Sequence, residues 1–356
     1  MRKMIKERVK YCDSLKAISI ILVVLIHILA VYRDLYLGIG HMVYYFLLSF
    51  ADSFTRIAVP MFFMITGIFM LSKPAEKSYK IYLKKRLPKL IIPLIVFSIV
   101  YYIYENIEAG ENLSILNFFQ LLTSSDGVRY HFWFMYEIIK IYLLLPFLEI
   151  MIKNISKNAL RNLIILIFII GNFISFISGI TNRLDINLFG GLSFSRTAMC
   201  INYLFLGYYL YKYPVNKKVK ILIYIGAILS IIILPIADLF LVGDVRNDQF
   251  FVITSIFPIL PTIAVFLLFK EHYDKWNIMQ KLEPITNRLA KQSIWIYLTH
   301  VIVMELLQKY LPVPQRFLSV IILTVVLLIL TVAISYILAI VLDWLYKNIF
   351  QRKVNI

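Results

Sequence analysis

The chain has 356 residues, 61% of them hydrophobic and only 16% charged, with a mean hydropathy of +0.81. Soluble domains are roughly half apolar and a quarter charged, so this composition excludes a soluble enzyme and leaves no room for an appended soluble domain. The net charge of +17 then concerns the side of a membrane on which cations collect, and no nucleic-acid partner is expected.

Apolar runs between charged breaks predict an all-α, polytopic membrane protein, one domain over residues 1–356, with about ten transmembrane helices. Their predicted positions are 17–34, 42–71, 90–105, 131–152, 160–178, 197–211, 219–238, 249–269, 291–308 and 317–346. A crossing needs roughly 20 residues. The first run, in "DSLKAISIILVVLIHI", is followed by no small-x-small processing pattern and reads as a retained span. It carries Lys16 and, eleven residues later, His27. Eleven helical residues turn through about 1100°, which leaves the two side chains about 20° apart and about 16 Å apart in rise. Lys16 is expected at the cytoplasmic mouth and His27 near mid-bilayer on the same inward-facing stripe, with Asp13 one turn from Lys16 as its partner.

The second run, "FTRIAVPMFFMITG", holds Arg56 near mid-depth and is long enough to be tilted or broken, with Pro60 and Gly67 as the expected break points. "KSYKIYLKKRLPKL" then leads into the third span. Most of its lysines fit a topological stop signal, but Arg86 and Lys89, three apart, are expected to share a helical face suited to phosphate. In "RYHFWFMYEIIKIYLLLP", His131 and Trp133 fit an interfacial aromatic belt, while Glu137 and Lys140 lie deeper and are expected to pair. Cys12 and Cys200 fall at different depths, so no disulfide framework is expected. In "SIWIYLTHVIV", His300 lies about ten residues beyond Lys291, at the depth of His27 on what is expected to be an antiparallel span. Glu305 and Asp343 sit nearer span ends and read as structural.

With ten spans, alternate connections fall on opposite sides. One side, which includes both termini, holds 28 of the 37 Lys and Arg residues; the other holds 7, from Arg33 to Arg316. The positive-inside rule puts both termini in the cytoplasm of a plasma-membrane protein. No repeat relates the halves, as a transporter built from duplicated units would show. Ionisable groups in lipid cost about 2.5–3.5 kcal/mol at mid-helix, so two imidazoles and a guanidinium at one level suggest a polar cavity.

These segments, in this order, resemble the acyltransferase 3 family of integral membrane acyltransferases, in its stand-alone form, over almost the whole chain. Lys16, ten residues and His27 match the family's Arg-to-His spacing in the first span; "RIAVPMFFMITGIFML" matches its V-P-x-F-F-x-x-S-G type of motif. "KKRLPKLIIP" matches its R-x-x-R segment, "YHFWFMYEIIKIYLLLP" its H-x-W-F segment and "SIWIYLTH" its I-Y-L-x-H segment. Lys16 and Lys89 stand where the family has arginine, keeping the charge but losing the bidentate fork, and Thr66 stands where serine is usual.

The resemblance implies transfer of an acyl group, commonly acetyl from acetyl-CoA, to a hydroxyl of a surface polysaccharide or its lipid-linked precursor. Acyl-CoA is then a co-substrate, with no resident cofactor and no metal. His27 is expected to take the acceptor's proton or to carry the acyl group, with Arg56 or His300 stabilising the oxyanion or orienting the base. Lys16, Arg86 and Lys89 are the candidates for the donor phosphates, and His131, Trp133 and Glu137 for the acceptor. A glycan or solute exporter, or a non-catalytic membrane component of polysaccharide synthesis, would use similar intramembrane groups and is the alternative.

Overall fold

The computed structural model describes residues 9–72, 78–124, 126–182, 194–241, 251–312, 314 and 316–351. The basic tail before Val9, Lys73, Lys77, Arg183, Arg246, the start of the 249–269 segment and the C-terminal Arg352 and Lys353 lie outside the described residues. Among those described there are fourteen α-helices and no strand. The chain divides into two compact units, one of residues 1–68 and 161–356 and one of residues 69–160.

In the first unit, α1 (Lys10–Gly38) is a single helix of 29 residues, longer at both ends than its apolar core. It stops at "LGIG", where Gly40 takes φ 75°, a left-handed conformation that side chains resist, and lets His41 N–H reach the Tyr36 carbonyl at 2.8 Å. The chain thus turns directly into α2 (Met42–Thr55), and α3 (Ala58–Leu71) follows. The expected break in the second run exists, but at Arg56–Ile57. Pro60 falls in the first turn of α3, where its missing N–H is tolerated.

Gly67 is no break at all. A Cβ on it would lie 2.1 Å from the Leu204 carbonyl oxygen, and one on Gly207 would lie 2.2 Å from that of Met64. The two glycines therefore let α3 and α10 (Arg196–Lys212) cross backbone to backbone, as small residues do between membrane helices. Gly207→Val should force these backbones apart and cost about 1–3 kcal/mol, the range for overpacked cores. Thermal unfolding in detergent checks this, and an unchanged midpoint would contradict the crossing.

The segment predicted at 160–178 is helical but not uniform: α8 (Lys157–Ile167) and α9 (Ser175–Asn182) flank a π-helical turn at Phe168–Ile174. In that turn Asn172 is buried and donates its amide to the carbonyls of Ile253 at 3.3 Å and Ser255 at 2.9 Å. Those carbonyls belong to a stretch of turns, so the helical span expected at 249–269 becomes α12 (Ile259–His272) only after Pro258. Irregular backbone at membrane depth requires such partners, and Asn172 supplies them.

α11 (Lys217–Leu241) packs beside α12, and Lys270 at the end of α12 donates to the carbonyl of Tyr211 at 3.1 Å and to that of Leu210, closing the C-terminus of α10. α13 (Asn277–Gln308) begins 14 residues before the predicted start, because its polar first half is held by α1 rather than by lipid. α14 (Phe317–Tyr346) matches its prediction. Val24, Ile28, Tyr36, Tyr45, Met304 and Leu327, from α1, α2, α13 and α14, share one core.

The second unit contains α4 (Tyr79–Arg86), α5 (Pro88–Ala109), the short α6 (Ile115–Leu122) and α7 (Trp133–Asn154), preceded by a 3-10 turn at Tyr130–Phe132. Tyr82, Phe97, Tyr101, Phe132, Met135 and Ile141 are buried there.

Six helical stretches are long and apolar enough to cross a membrane: Lys10–Gly38, Met42–Leu71, Tyr79–Ala109, Lys157–Ser178, Lys217–Phe240 and Phe317–Phe350. The other four predicted spans fall short for distinct reasons. α10 and α12 have 17 and 14 residues, below the roughly 20 of a perpendicular crossing. α7 carries Glu137, Lys140, Glu149 and Lys153, and α13 spends its first half on charged residues.

Candidate active site

Lys16 and His27 lie on the same unbroken helix, so their spacing of about 16 Å along one stripe holds. α13 runs alongside. Lys10 Nζ meets Glu283 Oε2 at 2.9 Å, Ser14 Oγ meets Thr286 Oγ1 at 3.2 Å, and the rings of His27 and His300 lie 5.1 Å apart, centroid to centroid. The residue offset between partners is 273, 272 and 273, so α1 and α13 run parallel and in register. The antiparallel expectation for His300 is thereby corrected. The parallel course also follows from the predicted spans themselves, in which those of His27 and His300 are the first and the ninth.

His300 is fully buried, and its Nδ1 lies 2.6 Å from the carbonyl oxygen of Tyr297. A carbonyl can only accept, so Nδ1 carries the hydrogen, and in the neutral ring Nε2 holds the lone pair. The rings are inclined at 38°. His27 is half-buried, so the dyad pairs one ring locked by the backbone with one that keeps some exposure. That is an arrangement able to accept and hold a proton.

Arg56 does not join the imidazoles. Its Nε donates to Asp52 Oδ1 at 3.0 Å, its Nη1 donates to the Phe251 carbonyl at 3.0 Å, and its Nη2 also pairs with Asp52. Asp52 is shared: Arg33 Nη1 lies 2.8 Å from its Oδ2, and Arg33 Nη2 lies 2.9 Å from Asp238 Oδ2. Tyr45 and Ser49 donate to the same Asp238 oxygen at 2.8 and 3.0 Å, and both guanidinium groups face the Phe251 ring, at 3.9 Å for Arg33 and 4.8 Å for Arg56.

Arg33, assigned from sequence to an outer connection, is instead buried in α1. Sequence reasoning found Arg56 but missed Arg33, Asp52 and Asp238. The i,i+4 spacing of Asp52 and Arg56 and the isolated acid in "PIADLF" were the available signals. Thr66 bonds its hydroxyl back to the Phe62 carbonyl at 2.8 Å.

The second unit holds the remaining candidates. Arg86 ends α4 and Lys89 lies in the first turn of α5, on either side of the Leu87 joint. Arg86 is half-buried, stacked toward Tyr82 with its Nη1 3.6 Å from Met70 Sδ, while Lys89 is exposed. The two cations are therefore not equivalent members of one face.

His131 is buried rather than presented to an interface, its ring 4.5 Å from that of Phe132 and 5.2 Å from that of Tyr101. The 3-10 turn directs it into the aromatic core. Trp133 begins α7 half-buried against Phe134. Glu137 and Lys140 form the expected pair at 3.0 Å, with Glu137 buried and Lys140 exposed. Cys12 and Cys200 are both buried free thiols, and no cluster of His, Cys, Asp and Glu among the described residues has the form of a metal site.

A family model described as an acyltransferase domain, that of the acyltransferase 3 family, matches residues 9–340. No curated protein and no solved structure matches the chain. The match reaches into both units and includes every candidate site residue named above. The chain belongs to the acyltransferase 3 family.

Proposed function

We propose that this membrane acyltransferase moves an acyl group, acetyl foremost, from acyl-CoA to a hydroxyl of a cell-surface polysaccharide or a lipid-linked sugar. The observation that carries this reading is the pairing of His27 with His300 at 5.1 Å, in a chain whose family transfers acyl groups. His27 acts as the base. The acceptor's proton passes to its imidazole, the alkoxide oxygen bonds to the thioester carbon, and the C–S bond breaks to release coenzyme A, whose sulfur is reprotonated. His300, fixed by Tyr297, orients His27 and shares the imidazolium charge. Lys16, Arg86 and Lys89 supply cations for the donor's phosphates. His131, Trp133 and Glu137 serve the acceptor.

In this reading all ten predicted spans cross a plasma membrane, with both termini in the cytoplasm. The excess of basic residues at one set of connections supports that orientation.

The test is labelled acetyl-CoA supplied to inverted membrane vesicles containing the full chain, with extraction of lipid-linked and polymeric glycan. Label in glycan supports the reading. Movement of unlabelled glycan with no dependence on donor would replace it with export. A base must be uncharged to act, so the rate should fall on the acid side as the dyad protonates, by about tenfold per pH unit once that limb is reached. A flat acid limb in wild-type protein would argue against an imidazole base.

A further inference from the structure

α6 has three sides, and each meets something different. At about 100° per residue, Leu121, Phe118 and Leu122 occupy an arc of about 240–340°, Ile115, Phe119 and Leu116 an arc of about 0–100°, and Gln120 and Asn117 an arc of about 140–200°. The first arc packs on the protein, since Phe118, Leu121 and Leu122 are all partly buried and the Phe118 ring lies 5.3 Å from that of Tyr102. The second arc is apolar yet open: Ile115 is 79% exposed, Leu116 70% and Phe119 56%.

Both ends of the helix are fastened. Tyr102 donates its hydroxyl hydrogen to the Ser114 carbonyl at 2.8 Å and accepts from the Ser114 N–H at 3.1 Å, and Tyr136 donates to the Leu122 carbonyl at 2.7 Å. Gly127, at φ 77°, leaves the space Tyr136 fills, since a Cβ there would lie 2.6 Å from the Tyr136 ring. An apolar surface held this firmly is not a loop that happens to expose leucines.

We infer that α6 lies in the membrane–water interface, with Ile115, Leu116 and Phe119 in the lipid and Asn117 and Gln120 in water. The occupant follows from continuity. On α5, which leads to this helix, Ile99, Ile103 and Ile107 are exposed at successive turns and form the lipid-facing stripe of a candidate span; Leu113, Ile115 and Leu116 continue it past the Gly110 turn. No charged residue falls between Asn112 and Thr123, so burying the apolar arc takes no ionised side chain into the lipid. α6 thereby fixes the depth of the turn that carries His131 and Trp133, through Tyr136 of α7.

The test uses the full chain in phosphatidylcholine–phosphatidylglycerol liposomes, spin-labelled singly through Leu116→Cys, Phe119→Cys or Gln120→Cys; the unsubstituted chain, whose Cys12 and Cys200 are buried, controls for background. Collisional relaxation by oxygen should dominate at residues 116 and 119, and relaxation by a water-soluble nickel chelate at residue 120. Nickel accessibility at 116 and 119 equal to that at 120 would overturn the inference. So would dipolar broadening at 116 and 119, which would make the face a contact between two copies of the chain.

Discussion

Replacing His27 by alanine should lower acyl transfer by about 10²–10⁴-fold, the range for a positioned acid–base group. At about 1.36 kcal/mol per factor of ten, this is roughly 3–5 kcal/mol of transition-state stabilisation. The fold should survive, because alanine is the best helix former and His27 is only half-buried on a helix of 29 residues. Transfer and the thermal midpoint are measured on the same preparation. Near-wild-type transfer by His27→Ala would remove the imidazole from the chemistry altogether.

His300→Gln is the companion variant. It removes the second ring while keeping a polar side chain, and it should weaken transfer less than the loss of His27 does. Peptide mass analysis after donor is added without acceptor separates the two roles open to His27. An acylated His27 peptide marks a carrier; an unmodified one, with transfer intact, marks a base.

Neutralising Asp52 should cost about 3–5 kcal/mol of stability, the penalty for stranding a buried charge. Asp52 answers two guanidinium groups and the Thr55 hydroxyl, which lies 2.7 Å from its Oδ1. Asp52→Asn keeps an acceptor oxygen but removes the charge, which leaves Arg56 with the neutral Phe251 carbonyl and Arg33 with Asp238 as its counter-charge. The cluster also joins α1, α2 and α11 beside the break at Arg56–Ile57, so its loss should loosen that joint. A double-mutant cycle with Arg56→Gln should recover part of the loss, since it removes one of the stranded cations along with its partner. A single-variant change within about 0.5 kcal/mol, the scale of surface substitutions, would mean that the cluster is not closed to water.

The two imidazoles illustrate how far sequence reasoning reaches. Each is assigned a depth by counting residues from a basic boundary, and the two rings do lie at one level along α1 and α13. Their adjacency and the parallel course of α1 and α13 were not legible, because periodicity describes one helix at a time. Arg56 shares their expected depth but not their company: equal depth does not specify azimuth around a bundle, and its guanidinium is held by Asp52 one turn away and by the distant Phe251 carbonyl.

Other misreadings have local causes. Pro60 reads as the point of a kink, whereas a proline in a first turn starts a helix, so the break lies just before it. Gly67 reads as a break point, whereas its missing side chain is the space through which α10 passes. The π turn at Phe168–Ile174 and the turns after Phe251 occupy segments whose apolar composition is indistinguishable from that of regular helix.

What the sequence determined unaided was the helical, membrane-borne character of the chain, the common stripe of Lys16 and His27, the Glu137–Lys140 pair and the family, because hydropathy, the 100° helical step and motif spacing are all local quantities. The tertiary structure alone decided which distant polar groups meet: His27 with His300, and Arg33 with Asp52 and Asp238. In a medium without water a buried charge must find its counter-charge wherever the fold brings one, and that choice is made between helices, across as many as 205 residues of chain.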